Sequence, residues 1–129
     1  MKKILITGGA GYIGSFLTEL LLSNDFEVTV VDKLMFDEMS LSGSCSYDKF
    51  KFIKSDVLDL SNYKSELTKA DCIIPLAAYV GAPMCKVNET YAKQINFDII
   101  SETSKLTSPN QIIIYPNTNS GYGVGSPNE

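Results

Sequence analysis

A run of glycines between an apolar strand and an amphipathic helix constrains this 129-residue chain more than any other feature. The residues Thr7-Gly8-Gly9-Ala10-Gly11-Tyr12-Ile13-Gly14 follow a short stretch of β-formers, 3–7, that lacks polar alternation and so predicts a fully buried strand. Gly8, Gly11 and Gly14 stand in a Gly-x-x-Gly-x-x-Gly spacing, a variant of the dinucleotide fingerprint. Gly8 permits a tight strand-to-helix turn, Gly11 lets backbone approach a pyrophosphate, and Gly14 lets the helix pack hard on the sheet. The anion would then rest on free N–H groups at the positive helix end, near Tyr12 and Ile13, with no basic side chain required. The helix opens near Gly11 and stops at Asn24-Asp25, and steps of three and four predict Ile13, Phe16, Leu17, Leu20 and Leu21 on its inward face.

Asp32 lies 18 residues beyond Gly14, just past a second apolar strand predicted over 26–31. A carboxylate there accepts hydrogen bonds from both adenosine ribose hydroxyls and repels a 2′-phosphate, which favours NAD over NADP. Lys33 beside it can compensate that repulsion, but the chain contains no arginine to fork a phosphate.

The rest of the chain alternates strand and helix signals. Strands are expected at 50–54, 71–76 and 111–115. A short helix capped by Ser61 runs through Leu67 with Glu66 inside it, and a longer one covers 90–106 with Tyr91, Ile95, Ile99 and Leu106 inward. The Ser- and Gly-rich stretch 35–47 reads as an irregular loop, as does everything from Pro116 onward. Phe16, Phe26, Phe50, Phe52 and Phe97 are expected in the core or on a sheet face, and Tyr79 and Cys85, which follow the fourth strand, as buried or loop residues without a catalytic task. Such alternation implies βαβ units with right-handed crossovers. The expected fold is therefore α/β, a doubly wound parallel sheet of Rossmann type with strand order 3-2-1-4-5.

Composition removes several other classes. With eleven lysines, no arginine and a net charge of −4, the chain lacks the basic stripe and guanidinium forks of a nucleic-acid binder. It has no histidine, so the common zinc constellations and Ser-His-Asp or Cys-His catalysis are not expected, and no metal site is predicted. Cys45, Cys72 and Cys85 form no Cys-x-x-Cys pair and are expected as reduced thiols of a cytoplasmic protein. The apolar run after Met1-Lys2-Lys3 is too short for a signal peptide, and no stretch has the roughly 18 apolar residues needed to span a bilayer.

Taken together, the glycine run, Asp32, Asp56-Val57, Leu76-Ala77-Ala78, Asn96 and the segment from Thr118 to Gly123 resemble the extended short-chain dehydrogenase/reductase superfamily, specifically its NAD-dependent nucleotide-sugar epimerases and dehydratases. The motifs occur in family order across almost all 129 residues, which the resemblance reads as an NAD(P)-binding Rossmann domain lacking its last strands and the substrate domain. It implies that Asp56 bonds the adenine amino group and Val57 the ring edge, that Leu76, Ala77 and Ala78 line the nicotinamide-side ribose, and that Asn96 braces the loops of the central strands. It also implies that Thr118, four residues before Tyr122-Gly123, supplies the catalytic hydroxyl, with Ser120 as a nearby competitor. Pro75 stands where the family often has histidine, and is tolerated only if the sheet does not need its N–H.

By the family's mechanism a sugar hydroxyl is deprotonated while its carbon gives hydride to the nicotinamide. The keto-sugar then turns over and is reduced, or loses water. The family's base, a tyrosine in a Tyr-x-x-x-Lys pair after the Thr118 segment, is not found between Thr118 and Glu129. Tyr47 and Lys51 have that spacing but precede the third strand, on the adenine side, and read as coincidence. The 129 residues alone are therefore expected to bind dinucleotide weakly, if at all, and to turn nothing over. Two rivals stand beside this reading: a stand-alone dinucleotide-binding sensor, and an NADPH-dependent reductase of a non-sugar carbonyl. Finally, Ile112, Ile113, Ile114 and Tyr115 would form an apolar edge that invites pairing with another copy.

Overall fold

The computed structural model describes residues 2–36 and 39–117. Strands β1 (Lys3–Thr7), β2 (Glu27–Asp32), β3 (Phe50–Lys54), β4 (Cys72–Pro75) and β5 (Ile112–Ile113) form one parallel sheet in the order β3-β2-β1-β4-β5, the Rossmann-like arrangement expected. Period-2 alternation divides the strand side chains between two cores. Ile4, Ile6, Val28, Val30 and Ile74 face helix α1 (Tyr12–Ser23), whereas Leu5, Val31 and Ile73 face the other side. That second side is covered by α2 (Lys64–Lys69) and by a continuous helical path of α4 (Glu89–Lys93), a π-turn (Gln94–Asp98) and α5 (Ile99–Leu106). Ile95 and Ile99 are buried on it, as the periodicity predicts, and Leu106 packs against the same core.

The structure corrects the inward face of α1. The buried line is Gly14, Thr18 and Leu22, with Leu17 and Leu21 flanking it, while Ile13, Phe16 and Leu20 are 63%, 74% and 49% exposed. A Cβ on Gly14 would come within 2.5 Å of Gly9 Cα, so the helix lies so close to the glycine turn that small residues must occupy the contact. Gly14 thus packs on that turn rather than on the sheet. Phe26, Phe50 and Phe52 do pack against the core, but Phe97, like Phe16, is exposed.

Other differences are local. Ser61 is not a helix cap: it lies in a 3₁₀ turn (Leu60–Asn62), and Tyr63 holds the cap position of α2. The stretch 35–47 expected as loop contains a 3₁₀ helix (Ser42–Ser46), and Cys85 belongs to a helix α3 (Ala82–Val87) that no sequence pattern predicted. Strand β5 is shorter than expected. Ile114 N–H still donates to Ile73 C=O at 2.9 Å, but the next rung of a parallel ladder needs the N–H of residue 75, and Pro75 has none. On the other edge of Pro75 nothing is lost, because Leu76 and Ala77 both donate to Thr7 C=O at 2.8 Å.

Candidate functional site

The carboxyl ends of β1, β2 and β4 lie side by side, with Thr7 paired to both Val31 and Pro75, and a cleft opens beyond them. This is where parallel α/β sheets hold ligands, because helix starts and strand ends converge there. Gly8, Gly11, Asp32, Lys33, Asp56 and Val57 line it together with Leu76, Ala77 and Ala78.

The turn is built for close approach. Gly8 has φ +74°, and a Cβ on it would lie 2.3 Å from Ala77 N, so neither side chain nor ordinary backbone fits. Gly11 caps α1 without a side-chain bond, and no acidic residue occupies the first turn, so the helix start at Tyr12 and Ile13 is open to an anion. The Tyr12 side chain itself is exposed.

Asp32 is the last residue of β2 rather than one past it. Its Oδ2 accepts Ala10 N–H at 3.0 Å and its Oδ1 accepts Leu34 N–H at 2.8 Å. The carboxylate therefore ties the glycine turn to the loop after β2, and each oxygen keeps a further lone-pair direction. Ser40 Oγ completes the clamp by donating to Ala10 C=O at 2.8 Å. Leu34 is held at φ +59°, an unusual conformation for a branched residue and one that nothing in the sequence signals.

Lys33 turns away from Asp32. Its ammonium lies 3.3 Å from Asp56 Oδ2, also bonds the Tyr91 hydroxyl, and sits 4.6 Å from the Tyr91 ring centroid. Tyr91 O–H donates to the same Asp56 oxygen at 2.7 Å, while Leu58 N–H donates to Oδ1 at 3.0 Å. Burial works to lower the Lys33 pKa, but the bonds to Tyr91 and Asp56 outweigh it and hold the ammonium above the ordinary lysine value. Burial likewise works to raise Asp56, and Leu58, Tyr91 and Lys33 outweigh it, so the carboxyl titrates below the usual aspartate range. Burial, helped by the Asp56 charge, pushes the Tyr91 phenol up.

Two supports complete the site. Asn96 does not line the cleft: its Oδ1 accepts Tyr79 N–H at 2.8 Å and its Nδ2 donates to Tyr79 C=O at 2.9 Å, pinning the loop after β4. Tyr63 is 1% exposed and donates its hydroxyl to Val57 C=O at 2.6 Å, fixing the backbone of that cleft residue. Burial drives its phenol far upward, so it stays a neutral donor. Sequence reasoning missed Tyr63 and the Tyr91 bond, since both act across contacts that no local pattern announces. Tyr47 packs into the core and Lys51 bonds Glu66, so neither reaches the cleft. Thr118, Ser120 and Tyr122 lie outside the described residues.

A family model described as the NAD dependent epimerase/dehydratase family matches residues 4–128. The chain belongs to the NAD dependent epimerase/dehydratase family. Among curated members, the trifunctional UDP-glucose 4,6-dehydratase/UDP-4-keto-6-deoxy-D-glucose 3,5-epimerase/UDP-4-keto-L-rhamnose-reductase of Arabidopsis thaliana is 32% identical over 95% of this chain and 20% of its own length. Among solved epimerases, the UDP-N-acetylglucosamine 4-epimerase of Methanobrevibacter ruminantium M1, in complex with UDP-N-acetylmuramic acid, superposes with TM-score 0.84 at 27% identity, over 98% of this chain and 41% of that one. The UDP-Glc/GlcNAc 4-epimerase of Campylobacter jejuni superposes with TM-score 0.79 at 29% identity, over 95% of this chain and 39% of that one. The chain thus spans about a fifth of the first relative and about two fifths of the two epimerases. Among the described residues, no helix of this family member is long and apolar enough to cross a membrane.

Proposed function

We propose that this chain is the NAD-binding part of a nucleotide-sugar epimerase or dehydratase. The observation that carries the reading is the Asp32 carboxylate at the cleft rim. Each of its oxygens holds one backbone amide and keeps a lone pair for a ribose hydroxyl, beside a helix start with no side-chain cap. The cleft residues are of the kinds that a dinucleotide's parts call for. The open first turn of α1 takes the pyrophosphate, Asp32 the adenosine ribose, and Asp56 with Val57 the adenine. Leu76, Ala77 and Ala78 offer small side chains to the nicotinamide half.

The ion pair of Lys33 with Asp56 supports the reading of NAD rather than NADP. The Lys33 charge is engaged by Asp56, which leaves it less able to offset the repulsion between Asp32 and a 2′-phosphate. Bound nicotinamide would accept a hydride from a sugar carbinol and later return it. The protein's part is orientation and proton management, and Thr118 is the residue of this chain proposed to bond the reacting sugar oxygen. These residues are proposed to bind cofactor and to place one hydroxyl, with the proton taken by a base that is not among them.

A fluorescence titration of the purified chain with NADH and NADPH tests the reading. Saturable NADH binding, tighter than NADPH and lost in Asp32→Ala, is expected. Equal NADH affinity of wild type and Asp32→Ala would overturn the ribose assignment, and no binding of either coenzyme would overturn the whole reading.

A further inference from the structure

We propose that Tyr91 is a positioning residue that makes the base end of the cleft selective for a 6-aminopurine over a 6-oxopurine. The inference rests on the dinucleotide reading above and deepens it. Three donors from three separate elements converge on the Asp56 carboxylate: Leu58 N–H on Oδ1 from the segment after β3, and Tyr91 O–H from α4 with the Lys33 ammonium from the segment after β2, both on Oδ2. The direction of the Tyr91 hydroxyl is forced. An ammonium has no lone pair to accept with, so the phenol accepts from Lys33 and must donate to Asp56. The Tyr91 ring is set in turn by Tyr79, edge to face at 5.4 Å, and the Tyr79 backbone is pinned at both its N–H and its C=O by Asn96.

The consequence is a carboxylate that cannot rotate. Oδ2 is filled, and Oδ1 retains one lone-pair direction beside the Leu58 bond. A 6-amino group donates to that lone pair. A 6-oxo group presents a second acceptor there, and its base pairs with Asp56 only if the carboxylate swings to meet the neighbouring ring N1–H. With Tyr91 and Lys33 in place, that swing breaks two charge-assisted bonds. The selectivity therefore belongs to Tyr91 and Lys33 acting through Asp56, not to Asp56 alone.

The experiment compares reduced NAD with reduced nicotinamide hypoxanthine dinucleotide, both fluorescent, on wild type and Tyr91→Phe, which keeps the ring and removes the donor. The wild type should prefer the adenine form. In Tyr91→Phe that preference should narrow by about fivefold or more, the worth of roughly one net hydrogen bond, with the hypoxanthine form weakened less than the adenine form. Lys33→Met, at a side chain 34% exposed and therefore tolerant of substitution, frees Oδ2 from the other side and should narrow the ratio in the same direction. Circular dichroism checks that each variant is folded. If both dinucleotides weaken equally, Tyr91 only supports the wall and the proposal is overturned; an unchanged ratio in both folded variants overturns it as well. A wild type that binds neither dinucleotide refutes the cofactor site itself, a different failure that the same titration separates.

Discussion

Replacing Gly8 by alanine tests whether the glycine turn is a structural necessity distinct from its role toward ligand. At φ +74° an alanine carries the left-handed penalty of about 1–2 kcal/mol. Its Cβ would also lie 2.3 Å from Ala77 N and 2.5 Å from Ala77 Cα, which are backbone atoms already tied to β1 through Thr7 C=O. Relieving that overlap by moving β4 away from β1 costs a further 1–3 kcal/mol or so, the usual range for overpacking. The sum, about 2–5 kcal/mol, is a large share of the roughly 5–15 kcal/mol by which domains are stable. Gly11→Ala is the internal control. Its φ is −72°, and the nearest atom to a new Cβ is Gly8 O at 3.3 Å, so it should lose about 1 kcal/mol or less while crowding the open helix start. Urea denaturation followed by far-ultraviolet circular dichroism, paired with NADH titration, reads both quantities. The expected pattern is a collapsed midpoint for Gly8→Ala, and a near-normal midpoint with impaired NADH binding for Gly11→Ala. A Gly8→Ala protein within 1 kcal/mol or so of wild type would refute the argument from φ and contact.

Other perturbations separate the remaining parts of the site. Asp32→Asn leaves one acceptor for two amides, those of Ala10 and Leu34, so thermal melts should show a loss of about 1–3 kcal/mol, and the NADPH-to-NADH affinity ratio should rise. Tyr63→Phe removes the buried donor to Val57 C=O and should cost about 1–2 kcal/mol in the same melts. The Asp56–Lys33 pair has a defined pH signature. Asp56 is held below its ordinary value, so its contribution is present above about pH 4 and lost as pH falls through its folded pKa. Lys33 is held above its ordinary value, so its contribution is complete below about pH 10 and lost as pH rises through its folded pKa. Urea midpoints against pH should therefore be flat for this pair across the neutral range, and Lys33→Met should flatten the acid limb. Ile112, Ile114 and Tyr115 are 57%, 53% and 50% exposed, so light scattering should show concentration-dependent self-association of the chain. A stable monomer at all concentrations would refute that reading of the strand edge.

The two kinds of residue in this site differ in how far they could be read in advance. Gly8, Gly11 and Asp32 sit within a turn, a helix start and the next strand, where local spacing fixes backbone positions, so their places at the cleft follow from sequence. The partners of Lys33 do not. Whether its ammonium turned to Asp32 next door or to Asp56, 23 residues away, depended on where β3 and α4 deliver Asp56 and Tyr91. The inward face of α1 was only partly readable for a related reason. Leu17 and Leu21 pack on the core as their periodicity predicts, but the glycine turn draws the helix so near that the most buried line is Gly14, Thr18 and Leu22, and Ile13, Phe16 and Leu20 turn outward.

Sequence by itself determined the alternation of strand and helix, the parallel pairing it implies and the glycine turn with its acidic partner, because those depend on periodicity and on a left-handed backbone conformation that glycine adopts at least cost. Only the tertiary structure decided which face of α1 is buried, where β5 ends, and that Tyr91, Lys33 and Asp56 form one hydrogen-bonded unit. Those outcomes depend on distances between elements far apart in the chain, such as the missing Pro75 donor opposite Ile114, and packing alone sets them.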